Sequence, residues 1–422
     1  MQYGQNLYSM TQLSQSILND ERLRVCHARS YGVLKSGLNA GTIYPEVWIR
    51  DLATFIEISS VVGDRAEIRG ALRNFFDFQQ PGGAIIDGFT LREASNAPYE
   101  YIVSEKYPEL VGHKNTVESD QESSLVTAVR KYVQATKDDT FIEELIGEKS
   151  VIDRLADALE WVYRERWNTP HGLAWNATTL DWGDIQPEHS WGVVLDQNSH
   201  PAISIYTNAM LSLALTDYVW LLERSGRETS KWEDRKAALR EATRKHLWDD
   251  VRGKFKPHIY LGKGSPFPPE LDEDEIFYHG GTAVAMLAGF LTTDEAKASY
   301  EWMKRNVRKA QARTVGLTLW PLYDVPSSAQ PNYHTPFTYQ NGGDWPWFGG
   351  RVSQGLIAAG LPDEAYESLL PIVEMVETHN GFYEWHSPDG TPHGAATFRG
   401  AAGVVGRAIE QLWDWASSKS FS

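Results

Sequence analysis

The sequence predicts an all-α protein, a closed (α/α)6 barrel of six inner and six outer helices. Three observations predict it. Helical segments of two kinds alternate along the chain, short turns join each buried one to a charged one, and long connections rich in Gly, Pro, Trp and Asp lead to the next pair. The charged kind carries apolar residues at helical spacing with Arg, Lys, Glu and Asp between them, so it keeps one wet face; the other kind is apolar or small nearly all round and has to be buried.

In chain order, a first outer helix near Ser9 to Leu18 precedes the inner helix Leu52 to Val62 and the outer helix Asp64 to Phe76. The next pairs are Ser123 to Tyr132 with Asp138 to Trp167, Ile203 to Leu222 with Lys231 to Trp248, and Thr282 to Leu291 with Thr293 to Val307. Val352 to Leu361 with Pro362 to Thr378 follows, and Ala401 to Leu412 is the last inner helix. Gly63 and Gly360 supply helix stops, and Asp64 and Thr293 supply N-cap oxygens. A solenoid would need regular repeat lengths. Here the connections vary widely, which favours a closed ring whose long loops gather at one end, where function sits. Residues 1–422 are read as one such domain. Gly253 to Leu261 reads as a short β-hairpin, and Gly262 to Glu275, whose acidic run starts at Glu270, reads as a solvated surface loop.

Composition narrows the partners. With 56 acidic against 40 basic residues the formal charge is −16, which repels a phosphate backbone and argues against nucleic acid. No apolar run approaches bilayer length, so no membrane partner is expected. Cys26 is the only cysteine, which excludes an internal disulfide and a cysteine metal cage. The first residues lack a cationic start followed by an apolar stretch, and the expectation is a cytoplasmic protein. No metal motif and no nucleotide fingerprint appears, and no cofactor is expected. Sixteen tryptophans and nineteen tyrosines suit stacking on a neutral carbohydrate, although a large aromatic core also uses them.

Five connections carry carboxylates among aromatics. Trp48-Ile49-Arg50-Asp51 sets a guanidinium beside a carboxylate, a fork that clamps vicinal hydroxyls or forms a structural ion pair. Glu118-Ser119-Asp120-Gln121-Glu122 stands at the start of the second inner helix, where an acidic group also serves as an N-cap. Asp181-Trp182-Gly183-Asp184 puts two carboxylates around an indole, and packing on Trp182 would raise a carboxyl pKa as a proton donor requires. Tyr339-Gln340-Asn341-Gly342-Gly343-Asp344-Trp345 crowds amide, carboxylate and indole onto a glycine-hinged turn, as a sugar subsite does. Glu384 lies in Tyr383-Glu384-Trp385-His386. Inverting glycoside hydrolysis needs one protonated carboxyl for the leaving oxygen and one carboxylate for the water, roughly 6.5–9.5 Å apart. The expected pair is Asp181 as acid and Glu384 as base, with Asp184 as the alternative acid.

In order along nearly the whole chain, these segments resemble the six-hairpin glycosidases. That group holds the bacterial relatives of processing α-glucosidase that include mannosylglycerate hydrolase, and also the neutral invertases, glucoamylases and debranching glucosidases. The resemblance implies that Trp48, Arg50 and Asp51 help hold the non-reducing sugar and that Tyr339 through Pro346 is the motif before the fifth inner helix. It also implies that Glu384, followed by Gly394-Ala395 and Phe398, is the general base. Asp120, Gln121, Asn341, Asp344, Trp345 and His386 complete the expected subsite. The expectation is an inverting exo-glycosidase acting on a short neutral oligosaccharide or a glycosylated small molecule, glucoside-type. A sugar 2-epimerase on the same barrel, using His386 and His393, and a non-catalytic carbohydrate-binding barrel are the rivals; products that are rearranged sugars, or binding without turnover, would distinguish them.

Overall fold

The computed structural model describes residues 2–95, 99–186, 192–324 and 335–420. Thirteen α-helices run through the described residues: α1 (Gln2–Asn19), α2 (Glu21–Leu34), α3 (Ile49–Val62), α4 (Arg65–Asp77), α5 (Gln121–Thr136), α6 (Val151–Glu165), α7 (Ile205–Arg224), α8 (Ser230–Leu247), α9 (His279–Leu287), α10 (Thr293–Ala310), α11 (Pro346–Ala358), α12 (Pro362–Thr378) and α13 (Arg399–Ser420). Helices α3, α5, α7, α9, α11 and α13 pack each on the next and the last on the first, closing the expected inner ring.

The pattern that predicted these helices is visible in their burial. Helix α5 is buried at every position from Gln121 to Val129, and α7 at almost every position from Ile205 to Leu222. Helix α10 shows one wet face and starts at a reciprocal cap, in which Thr292 accepts from Glu295 N–H and the Glu295 carboxylate accepts from Thr292 N–H. Close approach of the inner helices depends on missing side chains. A Cβ at Gly403 of α13 would fall 2.3 Å from the Phe55 Cβ of α3, so that crossing tolerates no larger residue.

Several boundaries differ from expectation. Two helices stand where one was expected near Ser9 to Leu18, broken at Asp20, whose carboxylate accepts from Arg22 N–H and caps α2. Both pack on α13, and α2 also touches α3 and α12, so it fills the outer ring at the seam. The expected helix Asp138 to Trp167 is shorter. Only α6 is α-helical, because Gly147 at φ +66° turns a small hairpin between Leu145–Ile146 and Lys149–Ser150, and Ser150 then caps the helix. Gly253 to Leu261 is not a self-paired hairpin: Lys254–Phe255 pairs with Trp248–Asp249, and Ile259–Tyr260 with Ala202–Ile203. Within 262–275, Phe267 is buried in a second apolar cluster with Tyr278 and Tyr323. Glu273 is not solvated as expected: it takes hydrogen bonds from Tyr260 and Tyr323 (2.8 Å) and faces His258 at 3.0 Å. Burial works to raise its pKa, but these partners outweigh it and hold the carboxyl below the usual value.

Among the described residues no helix is long and apolar enough to cross a membrane. At the end of the ring where the inner helices begin, an antiparallel sheet forms from β1 (Val47–Trp48), β2 (Gly88–Leu91), β3 (Ile102–Val103) and β4 (Leu110–His113), in the order β1-β2-β4-β3. It was not anticipated, since its strands are too short to show a two-residue period.

Candidate active site

A cavity of about 170 Å³ opens among the loops at that end. Its walls come from residues distant in sequence: Trp48, Arg50 and Asp51 at the start of α3, Asp87 and His113 from the sheet, Asp184 from the 179–185 turn, Trp345 and Trp347 at the start of α11, and Glu384 from the last long connection.

Glu384 is 3 % exposed. The Tyr44 hydroxyl lies 2.9 Å from both of its carboxyl oxygens, Ala395 N–H donates to Oε2 at 3.2 Å, and Tyr339 adds a further side-chain bond. Burial nevertheless pushes its pKa up to about 7, with the Asp184 charge adding to the rise. The backbone turns away beside it through Gly394 at φ +70°, where a Cβ would lie 2.2 Å from Oε2. Glycine is required there on both counts.

Asp184 lines the same cavity, half-buried. Its Oδ1 accepts from Gln340 Nε2 at 2.6 Å, and its carbonyl accepts from Asn115 Nδ2 at 2.9 Å. The gap between the Trp182 and Asp184 side chains is set by Gly183, where a Cβ would meet the Gln340 side chain at 2.6 Å.

Asp181, expected as the acid, is not brought together with Glu384. It is absent from the cavity wall, and both of its carboxyl oxygens accept from Gly281 N–H (2.9 and 3.1 Å) at the N-terminus of α9. Burial raises its pKa to about 8, opposed by the Gly281 and Gly280 N–H groups. Its backbone sits at φ +53°, a conformation that aspartate tolerates better than most residues.

Of the expected subsite, Trp48, Arg50, Asp51, Tyr339 and Trp345 line the cavity, and Asp120, Gln121, Asn341, Asp344 and His386 do not. The first four have a structural occupation, whereas both His386 ring nitrogens are buried without a hydrogen bond among the described residues. Asp120 grips Arg50 through two bonds of 2.9 and 3.0 Å and so aims it, with Glu118 pairing the same guanidinium. Gln121 bonds Lys114, Glu118 and the Asn115 carbonyl. Asn341 ties down Tyr323 N–H and C=O. Asp344 accepts from Arg313 N–H, Thr314 N–H and the Thr314 hydroxyl, and its backbone pairs with that of His386. His386 is buried, and desolvation lowers its pKa to about 4. His393 stacks on Trp385 at 4.2 Å, so no pair of histidines faces the cavity from this connection.

Sequence reasoning missed Tyr44, Asp87, Tyr99 and His113. Asp87 and Asp51 both have pKa values pushed up to about 7, burial being the main cause and Arg50 opposing it. His113 Nε2 stands 3.8 Å from Asp87, and burial drives this imidazole down to about 3, so it is neutral. A single aspartate in a long connection carries no spacing signal; only the adjacent Gly88, whose Cβ would meet the Trp48 ring at 2.5 Å, hints at close packing. Trp182 forms an aromatic nest with Trp345 (4.8 Å) and Trp347 (5.4 Å), an apolar wall for sugar C–H faces. Among the described residues no group of three or more His, Cys, Asp or Glu side chains could hold a metal ion.

A closed ring of helical hairpins with carboxylates and indoles facing each other across one rim cavity defines a glycoside hydrolase of the six-hairpin type. Residues 44–400 match the mannosylglycerate hydrolase MGH1-like glycoside hydrolase domain, and the chain belongs to that family. It is a glycosidase. Among solved structures, the family 63 mannosylglycerate hydrolase of Thermus thermophilus, in complex with glucose, is similar with a TM-score of 0.62 at 15 % identity, over 93 % of this chain and 99 % of that one. The same enzyme with Tris and D-glycerate matches at TM-score 0.60 and 14 % identity, over 93 % and 100 %. A Klebsiella oxytoca rhamnosidase with rhamnose bound matches at TM-score 0.61 and 14 % identity, covering 93 % of this chain and 64 % of that one. No curated protein matches the chain in sequence.

Proposed function

We propose that the protein is an inverting exo-glycosidase for a short neutral oligosaccharide or a glycosylated small molecule, with Glu384 as general base and Asp184, in place of Asp181, as general acid. The observation that carries this reading is that Asp184 and Glu384, from connections far apart in the sequence, line one cavity. Ionised Glu384 takes a proton from a water, whose oxygen attacks the anomeric carbon. The Asp184 carboxyl gives its proton to the departing glycosidic oxygen, and the sugar is released with its anomeric configuration inverted.

Arg50, whose Nε and Nη2 are held by Asp120 and Glu118, keeps Nη1 as a donor for sugar hydroxyls, Asp51 offers an acceptor, and Trp48 and Trp345 offer ring faces. A cavity of about 170 Å³ lies below the ~300–1,000 Å³ of sites that hold larger ligands, which favours a single terminal sugar ring and hence exo action. The single cysteine, Cys26, is buried and free, in keeping with work in the cytoplasm. Because the Thermus enzyme is described with D-glycerate, glycosyl-glycerates belong in the substrate panel beside glucosides and mannosides.

The test is proton NMR of the first sugar formed from each member of that panel. The expected result is release of a free monosaccharide whose anomer is opposite to that of the substrate. Release with retained configuration would remove the paired acid and base roles, and rearrangement without release would restore the epimerase.

A further inference from the structure

A second cavity, of about 290 Å³, lies on the barrel axis and takes residues from all six inner helices. The sugar cavity uses the first residues of those helices, such as Arg50, Asp51 and Trp347. The axial one uses later turns, among them Glu57, Lys131 and Asp217, so it lies toward the other end of the ring. Its lining is cationic: Arg130, Lys131, Arg351 and Arg407 stand against Glu57 and Asp217.

Pairing accounts for two of the four cations. Arg130 Nε is 2.8 Å from Asp217, and Arg407 is shared between Glu57 at 3.4 Å and Glu410 at 3.0 Å. Lys131 Nζ donates to the Ala53 carbonyl at 2.7 Å. The Arg351 guanidinium lies 4.1 Å from the Trp347 ring centroid, and the residue is 4 % exposed. Its guanidinium partners the Tyr206 hydroxyl, which works against the burial that raises the tyrosine pKa, and no carboxylate among the described residues forms an ion pair with it. A buried cation without an ion pair is costly. Helix C-termini carry partial negative charge and could by themselves account for cations near this end of the ring. That effect fades within the last turn, however, and Arg351 sits in the second turn of α11.

We propose that the axial cavity is a binding site for a small oxyanion, of phosphate or carboxylate type, held by Lys131 and Arg351. Both cations line the cavity, and a planar guanidinium beside an ammonium suits such an anion. The site touches the catalytic end through Trp347 and through the pull of the Arg351 charge on Asp51. Trp347 lies under Arg351, lines the sugar cavity, and donates from Nε1 to Thr54 Oγ1, which belongs to the axial wall, at 3.1 Å. An anion drawing on Arg351 therefore bears on an indole that faces the sugar.

Calorimetric titration with inorganic phosphate and, separately, with malonate, at ionic strength fixed with chloride, tests this on the whole protein. Saturable binding of one equivalent of either is expected, and the arm that saturates identifies the anion type. Lys131→Gln should weaken it by about 10-fold or more, the loss of one charge-assisted bond, while basal hydrolysis stays unchanged. Lys131→Arg, which keeps the charge, should retain binding and covers the case in which the glutamine variant does not fold. Binding should also persist when the sugar cavity is filled with product. Absence of saturable heat with both anions would leave the cations as mere balance for the helix ends and overturn the proposal. So would binding that Lys131→Gln leaves intact, or that the sugar product displaces.

Discussion

The two acidic walls of the sugar cavity hold their carboxylates in opposite ways. Glu384 is almost wholly enclosed and is surrounded by donors, the Tyr44 hydroxyl, Ala395 N–H and Tyr339, with Gly394 pressed against it. Asp184 is half-buried and, among the described residues, receives one side-chain bond, from Gln340 at 2.6 Å. A carboxylate ionised inside an apolar wall needs donors that stabilise its charged form, and even with them Glu384 is pushed up to about 7. A carboxyl that passes its proton to a leaving group needs to reach that group, and Asp184 borders the cavity without being enclosed. The contrast gives the two carboxyls different environments, and two different proton roles need that much.

Removing each carboxylate in turn tests this most sharply. Glu384→Gln and Asp184→Asn are each expected to lower kcat by about 10²–10⁴-fold, the usual contribution of a positioned acid or base. A glycoside with a good aryl leaving group then separates them in steady-state assays. It needs no protonation to depart, so it should restore much of the rate to Asp184→Asn and none to Glu384→Gln. Equal rescue of both variants would remove the asymmetry between the walls.

A smaller effect is expected from Tyr44→Phe. The hydroxyl donates to ionised Glu384 and holds its pKa down, so its loss raises that pKa further. A base works only when ionised. The acidic limb of the kcat/KM profile, expected near pH 7 in the native enzyme, should therefore move to higher pH in the variant, with the plateau rate less affected. An unmoved limb would mean that another group governs it.

The fold was legible because burial and helical period coincide: α7, α9 and the stretch of α13 from Ala401 to Leu412 have no exposed face worth the name, and a ring encloses six such helices. The two walls were legible as clusters of carboxylates and indoles, and Trp48, Arg50, Asp51, Tyr339, Trp345 and Glu384 do line one cavity. The fate of each carboxylate was not legible. Asp344 looks like a sugar ligand in the sequence, yet three donors from residues 313 and 314, thirty positions away, enclose it. Asp87 shows nothing in the sequence, yet the β1-β2 pairing delivers it beside Trp48. Which oxygen faces a backbone N–H and which faces a void depends on such long-range pairings, and local composition does not record them.

The smallest effect on turnover is expected at Asp181, three residues from Asp184 on the same turn. Its carboxyl oxygens accept from Gly281 N–H, so it acts as a cap for α9 and as a brace between two inner-helix connections. Asparagine keeps one acceptor and tolerates the positive φ, so Asp181→Asn should fold with nearly native stability and retain kcat within a few-fold. Alanine keeps neither advantage. It leaves buried N–H groups without an acceptor in a strained backbone, and Asp181→Ala should lose about 1–3 kcal/mol in urea denaturation. Should Asp181→Asn instead lose turnover as fully as Asp184→Asn while keeping its unfolding midpoint, the proton source would have to be the carboxyl aimed at α9, and the contrast between half-buried acid and enclosed base would fail.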